Sequence, residues 1–369
     1  MSKNNRLKIQ YFDFGLLICV VMLVAFGLVM IYSTSAYNAT FRFGDGLLYV
    51  RKQLISAAIG FAGLIFFTVF DYRKWKYFAF PLYLFSLILC VMVIFVGKSE
   101  NGSARWFSVA GMSVQPSELA KISVIFFLAV LISKSDNVLK GTENVLKVFG
   151  LVLPIVAVVA YANLSTAIII LGVTFIMLFV ASRELKVFGI FILMAIIGVL
   201  GILLMGAGYR MTRIEAWLHP ENYSTTDQAV YQTVQALYAI GSGGLFGKGL
   251  GESFQKNFVP EAKNDMIFSI ICEELGLFGA ICVIVLYLIL IWRLMVIALN
   301  ATDKTGGFIC VGVMTHIALQ VIFNIAVVTN TMPNTGVTLP FISYGGTAII
   351  VLLTEIGLAL GVSKYIEPV

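Results

Sequence analysis

The stretch DFGLLICVVMLVAFGLVMIYSTS, from Asp13 to Ser35, decides the fold class. Its apolar part carries no charge and is as long as a helix must be to cross a lipid bilayer, about 20 residues. The rest of the chain repeats this pattern, since 60% of its 369 residues are hydrophobic and 12% are charged. A soluble domain carries about 25% charged residues, so the composition predicts a polytopic membrane protein.

Apolar runs of this length predict an all-α integral membrane protein with ten transmembrane helices. The predicted spans lie near residues 14–35, 53–70, 78–96, 117–133, 147–161, 164–181, 187–207, 267–292, 307–329 and 347–362. No internal repeat and no Pro- or Ser-rich linker divides them, so residues 1–369 are expected to form a single membrane domain. The basic start MSKNNRLK precedes an apolar run too long for a signal peptide, and the first helix is expected to be its own targeting signal.

Basic residues predict the orientation of the helices. They cluster in the N-terminal segment, in DYRKWK (71–76) and in other short connections on the same side, which is therefore assigned to the cytoplasm. With ten spans, both termini are then cytoplasmic. Three polar segments fall on the opposite, extracytoplasmic side: 101–121, the long loop 208–266 between the seventh and eighth helices, and 331–346. The chemistry is therefore expected outside the membrane.

Asp265 lies at the outer end of the eighth predicted helix, in the stretch VPEAKNDMIF. An Asp just before an apolar helix is a common N-cap, and Lys263 is near enough in sequence to pair with it. Asn264 can cap the helix equally well, which would leave the carboxylate of Asp265 free. From the residues alone, Asp265 is either a helix cap or a working carboxylate.

The glycine-rich stretch AIGSGGLFGKGLG (239–251) lies within the long outer loop. It lacks the pattern of a phosphate-binding P-loop, because Ser242 and Gly249 stand where that motif needs Gly and Ser or Thr. Two interpretations remain. The stretch is either a flexible re-entrant or surface loop or backbone that approaches a ligand closely, where side chains would intrude.

Several charged residues lie within the predicted helices. Glu118 and Lys121 are three residues apart on one face of the fourth helix, either as an ion pair that holds the bundle together or as a polar lining for a head group. Glu273 and Glu274 lie inside the eighth helix, where carboxylates usually face a polar cavity or a partner. Such a cavity needs cations, and the outer face offers Arg105, Lys121, Arg210, Arg213 and Lys256.

Gly345 and Gly346 precede the last predicted helix in LPFISYGGTA (339–348). Successive N–H groups at a helix start can bind an anion such as a diphosphate, but glycine is also common at helix starts that bind nothing. The five cysteines lie in apolar segments without metal-ligand spacing and are expected to be small buried residues. His219 and His316 are each isolated, so these residue types predict no metal site.

Four stretches together resemble the FtsW/RodA/SpoVE family of SEDS proteins, which build the bacterial cell wall. They are DFGLLICVVMLVAFGLVMIYSTS, GSARWFSVAGMSVQPSELAK, YQTVQALYAIGSGGLFGKGLGESFQKNFVPEAKNDMIFSIICEELG and PNTGVTLPFISYGG, and they extend from the first predicted helix to the last. The stretch AKNDMIFSIICEELG is most similar to the FtsW/SpoVE branch. Three positions depart from the family pattern: Asn163-Leu164-Ser165 replaces an acidic motif, Met266 replaces Phe, and Thr347 replaces Ser.

The resemblance implies a peptidoglycan glycosyltransferase that polymerises lipid II on the outer face of the bacterial cytoplasmic membrane. The reaction inverts the anomeric carbon and releases undecaprenyl diphosphate, in cell division or sporulation. Asp265 is implied as the catalytic residue, together with a divalent cation, Mg²⁺ or Mn²⁺, whose ligands the sequence does not identify. The implied partners are lipid II, a class B penicillin-binding protein transpeptidase, other division or sporulation proteins and membrane lipid, but no nucleic acid.

One carboxylate is enough for this reaction. A diphosphate leaves well once cations neutralise it, so a general base that removes the acceptor proton completes the chemistry. The residues assigned to substrate binding are Arg105, Glu118, Lys121, Arg210, Arg213, Lys256, Glu261, Ser343, Tyr344, Gly345 and Gly346.

Two other hypotheses remain open. Charged residues at membrane depth, including Glu355, could line a path along which a transporter moves the lipid-linked precursor across the bilayer. Alternatively, the protein is a non-catalytic scaffold that recruits a division transpeptidase.

Overall fold

A computed structural model describes residues 12–100, 103–109, 112–134, 139–182, 184, 186–193, 217–220 and 228–366. Its helices are α1 Phe14–Phe43, α2 Leu48–Val69, α3 Ala79–Val96, α4 Pro116–Ser133, α5 Thr142–Ala162, α6 Leu164–Ala181, α7 Gln228–Gly243, α8 Ile267–Asn300, α9 Lys304–Val328 and α10 Gly346–Ser363. Residues 186–193 are also helical. Two short 3₁₀ helices cover Tyr72–Phe78 and Gln255–Asn257.

Nine helices within these ranges are long and apolar enough to cross a membrane: α1 to α6 and α8 to α10, with the 3₁₀ turn before α3 counted into its span. The multi-pass membrane class is thus confirmed. The seventh predicted span, 187–207, lies mostly outside the described residues, so the count of ten stays a prediction. Helix α7 was not predicted, because the segment 208–266 was treated as a loop throughout.

A small antiparallel sheet separates α3 from α4, so the prediction of an all-α protein is wrong for this connection. Its strands are β1 Lys98–Glu100, β2 Ser103–Val109 and β3 Met112–Val114, in the order β1-β2-β3. Only a membrane-spanning segment must satisfy its backbone within a helix or a closed barrel. A connection outside the hydrocarbon core is free to pair as strands.

Small residues bring α2 and α10 into close contact. A Cβ atom on Gly357 would lie 2.6 Å from the carbonyl oxygen of Leu64, and one on Gly361 would lie 2.8 Å from that of Phe67. In lipid, helices associate through close packing rather than through a hydrophobic driving force. Helices α4 and α10 are the most enclosed of the described spans, and every side chain of α4 from Ala120 to Val130 is buried.

Charged side chains tie helix ends together at the end of the bundle that the sequence assigns to the cytoplasm. The Asp13 carboxylate accepts a hydrogen bond from the N–H of Leu16 at 2.8 Å, and its other oxygen lies 2.7 Å from Arg293 Nη2. The Asp13 N–H in turn donates to Ser363 Oγ at 3.4 Å. The start of α1 and the C-terminal halves of α8 and α10 are therefore held together.

Candidate active site

Asp265 lies in a turn of residues 261–266 that leads into α8. The turn is closed by the N–H of Asn264, which donates to the carbonyl oxygen of Glu261 at 2.8 Å. Glu261 has a φ of 57°, in the left-handed region. Helix α8 begins at Ile267 and Met266 holds the N-cap position, so neither Asp265 nor Asn264 caps the helix. The capping interpretation of Asp265 is therefore wrong.

Three elements converge on Asp265, which is only 8% exposed. From α7, Gln232 Nε2 donates to Asp265 Oδ1 at 3.2 Å. From α9, Asn324 Nδ2 donates to the carbonyl oxygens of Asp265 at 2.6 Å and Val337 at 2.8 Å. From the segment 331–346, Gly336 comes so close that a Cβ atom on it would lie 3.9 Å from Asp265 Oδ2. Both the backbone and the side chain of Asp265 are thus held in place.

The surroundings of Asp265 suit a base that works near neutral pH. Burial is the main cause that raises the pKa of Asp265 from 3.8 to about 7, and the negative charge of Glu261 adds to it. The Gln232 amide and nearby backbone N–H groups oppose this shift, with smaller effects. A general base is most effective when its pKa lies near the operating pH.

Lys263 does not form the ion pair with Asp265 that its sequence position suggested. Its Nζ lies 4.5 Å from the centroid of the Tyr49 ring, in a cation–π contact, and Tyr344 packs edge-on against the same ring at 5.3 Å. Burial lowers the pKa of Lys263, since it disfavours the charged ammonium. Local spacing does not indicate this contact, and among the described residues the Asp265 carboxylate has no ion pair with a lysine.

The residues Ser343, Tyr344 and Gly345 fasten the segment 331–346 to its neighbours. Ser343 Oγ donates to the carbonyl oxygen of Asn264 at 2.6 Å, and the Tyr344 N–H donates to that of Lys263 at 2.9 Å. The Gly345 N–H donates to Gln53 Oε1 at 3.1 Å, so one of the N–H groups available for an anion is already occupied. Gly346 is the first residue of α10. A substrate-binding role for these four residues stays a prediction.

Helix α8 is interrupted at Gly276, whose φ of 67° and ψ of −167° are not helical. The residues 244–249 supply the hydrogen bonds that this break removes. The N–H groups of Lys248 and Gly249 donate to the carbonyl oxygens of Glu273 and Glu274, each at 2.9 Å. The glycine-rich stretch is thus bonded to the helix backbone and is neither a free surface loop nor, at these residues, a ligand cradle.

Glu273 anchors the same stretch through its side chain. The fully buried carboxylate accepts hydrogen bonds from Lys248 Nζ at 2.6 Å, from the Ser253 hydroxyl and from the backbone N–H of Gln255 at 3.2 Å. The neighbouring Glu274 accepts from the Ser33 hydroxyl. Both carboxylates therefore bond to residues of the same chain, as ionisable groups at membrane depth usually pair with a partner.

The predicted cations do not gather around Asp265 among the described contacts. Lys121 Nζ lies 2.9 Å from Glu118 Oε1, and both side chains are buried, which fits the structural ion pair. Arg105 Nε donates to the carbonyl oxygen of Ala162 at 2.7 Å. Lys256 Nζ donates to the carbonyl oxygen of Gly251 and lies 4.0 Å from Glu274 Oε1. Arg210 and Arg213 lie outside the described residues.

The departure at 163–165 has a structural explanation. Asn163 caps α6, since its side-chain oxygen accepts a hydrogen bond from the N–H of Thr166 at 3.2 Å. Ser165 Oγ donates to the carbonyl oxygen of Thr335 at 2.7 Å and so ties α6 to the segment 331–346. No carboxylate is needed for either contact.

Sequence reasoning also missed a buried pair between α9 and α10. His316 Nδ1 lies 2.8 Å from Glu355 Oε2, and both side chains are fully buried. The prediction that His316 is isolated is therefore wrong. A carboxylate with a histidine partner 39 positions away cannot be found by local spacing.

The described residues do not identify a site for a divalent cation at Asp265. They include no group of three or more His, Cys, Asp or Glu side chains placed to hold a metal ion. The groups that contact the Asp265 carboxylate are the Nε2 atom of Gln232 and backbone N–H groups, and these N–H donors supply no oxygen ligand for a metal ion. A divalent cation is implied by the resemblance alone.

Known proteins are similar to this chain over almost its whole length. The family model described as "Cell cycle protein" (FTSW_RODA_SPOVE) matches residues 14–367. Stage V sporulation protein E of Bacillus subtilis is 38% identical over 358 residues, which cover 96% of this chain and 97% of that protein. The probable peptidoglycan glycosyltransferase FtsW of Trichlorobacter lovleyi is 38% identical over 368 residues, which cover 98% of this chain and 95% of that protein.

The fold is also similar to that of a solved chain. The similar chain comes from a structure described as structural coordination of polymerization and crosslinking by a peptidoglycan synthase complex. The TM-score is 0.81 at 26% sequence identity, and the match covers 96% of this chain and 98% of the solved one. The likeness therefore extends over almost the whole of both chains.

Proposed function

The chain belongs to the FtsW/RodA/SpoVE family, and on that premise we propose that it is a peptidoglycan glycosyltransferase with Asp265 as its general base. The substrate is lipid II, and the reaction takes place at the extracytoplasmic face of the bacterial cytoplasmic membrane. The observation that carries the assignment of Asp265 is its setting: a nearly buried carboxylate with a pKa of about 7, held between α7, α9 and the segment 331–346.

The proposed step is a single displacement at the anomeric carbon of one lipid-linked sugar. The hydroxyl oxygen of the acceptor sugar forms the new C–O bond, while the bond from that carbon to the diphosphate oxygen breaks and the diphosphate leaves with the electron pair. Asp265 Oδ2 takes the hydroxyl proton as the bond forms. Oδ1 is engaged by Gln232, whereas Oδ2 faces Gly336, where no side chain intrudes.

The leaving diphosphate needs positive charge, and the predicted residues remain the candidates: Arg105, Lys121, Arg210, Arg213 and Lys256. Lys263 adds a half-buried ammonium two residues from the base. The Tyr49 ring holds this ammonium by a cation–π contact. A charge held in this way is already positioned when negative charge develops on the leaving group.

The proposed partner is a class B penicillin-binding protein transpeptidase, together with other division or sporulation proteins. The support comes from the similar solved chain, which belongs to a peptidoglycan synthase complex. A requirement for Mg²⁺ or Mn²⁺ is proposed from the resemblance alone, and the assay tests it by varying the concentration of these ions.

The test is glycan polymerisation from purified protein and lipid II, with and without the transpeptidase partner and with divalent ions varied. Asp265→Asn and Asp265→Ala should lower the rate by about 10²- to 10⁴-fold, as expected for the loss of a general base. Glu143→Gln is the matched control, since it removes an exposed carboxylate that pairs with Lys147. Near wild-type rates for both Asp265 variants would remove Asp265 from the mechanism.

The transporter hypothesis is less well supported by the arrangement of the buried charges. Glu118, Glu273 and Glu355 are each engaged by a residue of the same chain, namely Lys121, Lys248 and His316. Movement of lipid II between leaflets of a reconstituted vesicle, without polymer, would favour transport. A scaffold would instead leave cell-wall synthesis unchanged by substitution of Asp265.

A further inference from the structure

Three hydrogen bonds link the backbone of the segment 331–346 to the carboxylate of Asp265. The Gly336 N–H donates to Asn334 Oδ1 at 3.1 Å. Asn334 Nδ2 donates to Gln232 Oε1 at 3.3 Å, and Gln232 Nε2 donates to Asp265 Oδ1 at 3.2 Å. The two side chains before the carboxylate, those of Asn334 and Gln232, are neutral, and Gln232 is buried.

The direction of this chain is fixed at its starting point. A backbone N–H can only donate, so the group of Asn334 that faces Gly336 must be its oxygen. The Asn334 amide nitrogen then faces Gln232 and requires an oxygen there. Gln232 is left with its NH₂ group toward Asp265, which is the orientation that favours the ionised carboxylate.

The chain also orients the carboxylate. A terminal carboxyl group rotates easily about its last bond, because that torsion has broad minima. A hydrogen bond to Oδ1 limits this rotation and keeps Oδ2 beside Gly336, where a Cβ atom would come within 3.9 Å of it. The second anchor is Asn324, which holds the backbone carbonyl of Asp265.

We propose that Gln232, oriented by Asn334, is a positioning residue that holds the Asp265 carboxylate with Oδ2 toward the acceptor hydroxyl. The inference rests on the proposed function, in which Asp265 is the base. Neither Gln232 nor Asn334 was assigned a role from the sequence, and neither forms a bond in the reaction. They act through Asp265 alone.

The groups around Asp265 make the effect measurable as a change in pH dependence. The charged group that acts on its carboxylate is Glu261 of the same turn. The residues of α7, α9 and the segment 331–346 that contact Asp265 are neutral, namely Gln232, Asn324 and Gly336. Removal of the Gln232 donor takes away a group that lowers the pKa of Asp265, so that pKa should rise further.

The experiment is the pH profile of kcat/KM for lipid II polymerisation by the full-length protein. In Gln232→Leu, the acid limb should move to higher pH by about one unit, so that the rate falls about tenfold below the limb and recovers toward pH 9. Asn334→Asp is nearly isosteric, and its carboxylate should turn the Gln232 amide around so that oxygen faces Asp265. The upward shift of the acid limb that Asn334→Asp causes should be larger in the single variant than in the Gln232→Leu background, where there is no amide to turn.

Gln235→Leu is the matched control, because Gln235 lies one turn further along α7 and its side chain makes no hydrogen bond with the described residues; its limb should stay in place. A Gln232→Leu profile that is lowered equally at every pH would overturn the inference, since a merely structural role has that effect. The same series tests the premise separately. An active Asp265→Asn protein would contradict the proposed function, whereas an inactive one with an unshifted Gln232→Leu limb would contradict only the positioning role.

Discussion

Asp265 is a carboxylic acid buried where its charged form is disfavoured, and this has a consequence for stability. Its pKa is raised from 3.8 to about 7 by folding, with burial as the main cause. A group with a raised pKa in the folded state binds more protons there than in the unfolded state. Its contribution to stability is therefore complete below pH 3.8 and is lost as the pH rises to about 7.

Substitution of Asp265 by Asn should therefore stabilise the protein at high pH while it removes activity. The asparagine carries no charge, so the gain in unfolding free energy should grow between pH 4 and 7 and then level off at up to about 4 kcal/mol. Thermal unfolding of the purified protein at pH 4.5 and pH 8 measures this difference. Glu143→Gln, which changes an exposed carboxylate, should show little difference at either pH, and an equal effect of Asp265→Asn at both would contradict the raised pKa.

The contact between the glycine-rich stretch and α8 leaves no room for side chains on the facing glycines. A Cβ atom on Gly243 would lie 2.0 Å from the carbonyl oxygen of Cys272, and one on Gly247 would lie 2.2 Å from that of Glu274. Backbone atoms cannot move aside as the end of a side chain can. The pairing of these two elements therefore depends on the absence of a Cβ atom.

Gly243→Ala should lower the stability of the protein by about 3 kcal/mol or more, because it forces α7 away from α8. Gly241→Ala is the matched control two residues earlier in the same helix, since a Cβ atom there meets nothing within 4 Å. It should be neutral or should stabilise the helix by about 0.5–1 kcal/mol. The midpoint of thermal unfolding compares the two variants, and equal midpoints would show that the close approach is not required.

The elements that the sequence predicts well are those with a continuous apolar run. Helix α6 covers Leu164–Ala181, as predicted, but α8 continues to Asn300, beyond the predicted residue 292. The predicted span ended just before Arg293. In the fold, Asp13 neutralises the charge of Arg293, and the helix continues past this residue. The break at Gly276 was not predicted either, because the residues that compensate for it lie in another segment.

The candidate site divides in a similar way between what is local and what is distant. Asp265 was found from its place before an apolar helix and from the resemblance of the surrounding stretch. Gln232 and Asn334, which contact each other and orient it, are 102 positions apart in the chain. The sequence position of a single amide does not indicate which residue its side chain will contact, so these contacts could not be predicted from the sequence.

Across the molecule, polar contacts tie segments together at both ends of the bundle. At one end, Asp13 pairs with Arg293, and Asp303 lies 3.7 Å from Lys76. At the other end, Thr347 Oγ1 donates to the carbonyl oxygen of Ser113 at 2.8 Å, close in the chain to the segment that contacts Asp265. The sequence predicted that three polar segments would share one end; this contact joins residues of two of them, 101–121 and 331–346, or their immediate neighbours, and the placement of the whole segments stays a prediction.

Which of these two ends faces the outside can be tested by thiol labelling. Thr331 is exposed at the end that holds Asp265, and Lys140 is exposed in the connection between α4 and α5. A membrane-impermeant maleimide added to intact spheroplasts should label Thr331→Cys, because chain growth is proposed to occur outside. It should label Lys140→Cys only after the membrane is permeabilised, and the wild-type protein controls for the five native cysteines. The reverse pattern would place Asp265 on the cytoplasmic side, where a base that acts on an exported lipid-linked sugar could not reach its substrate.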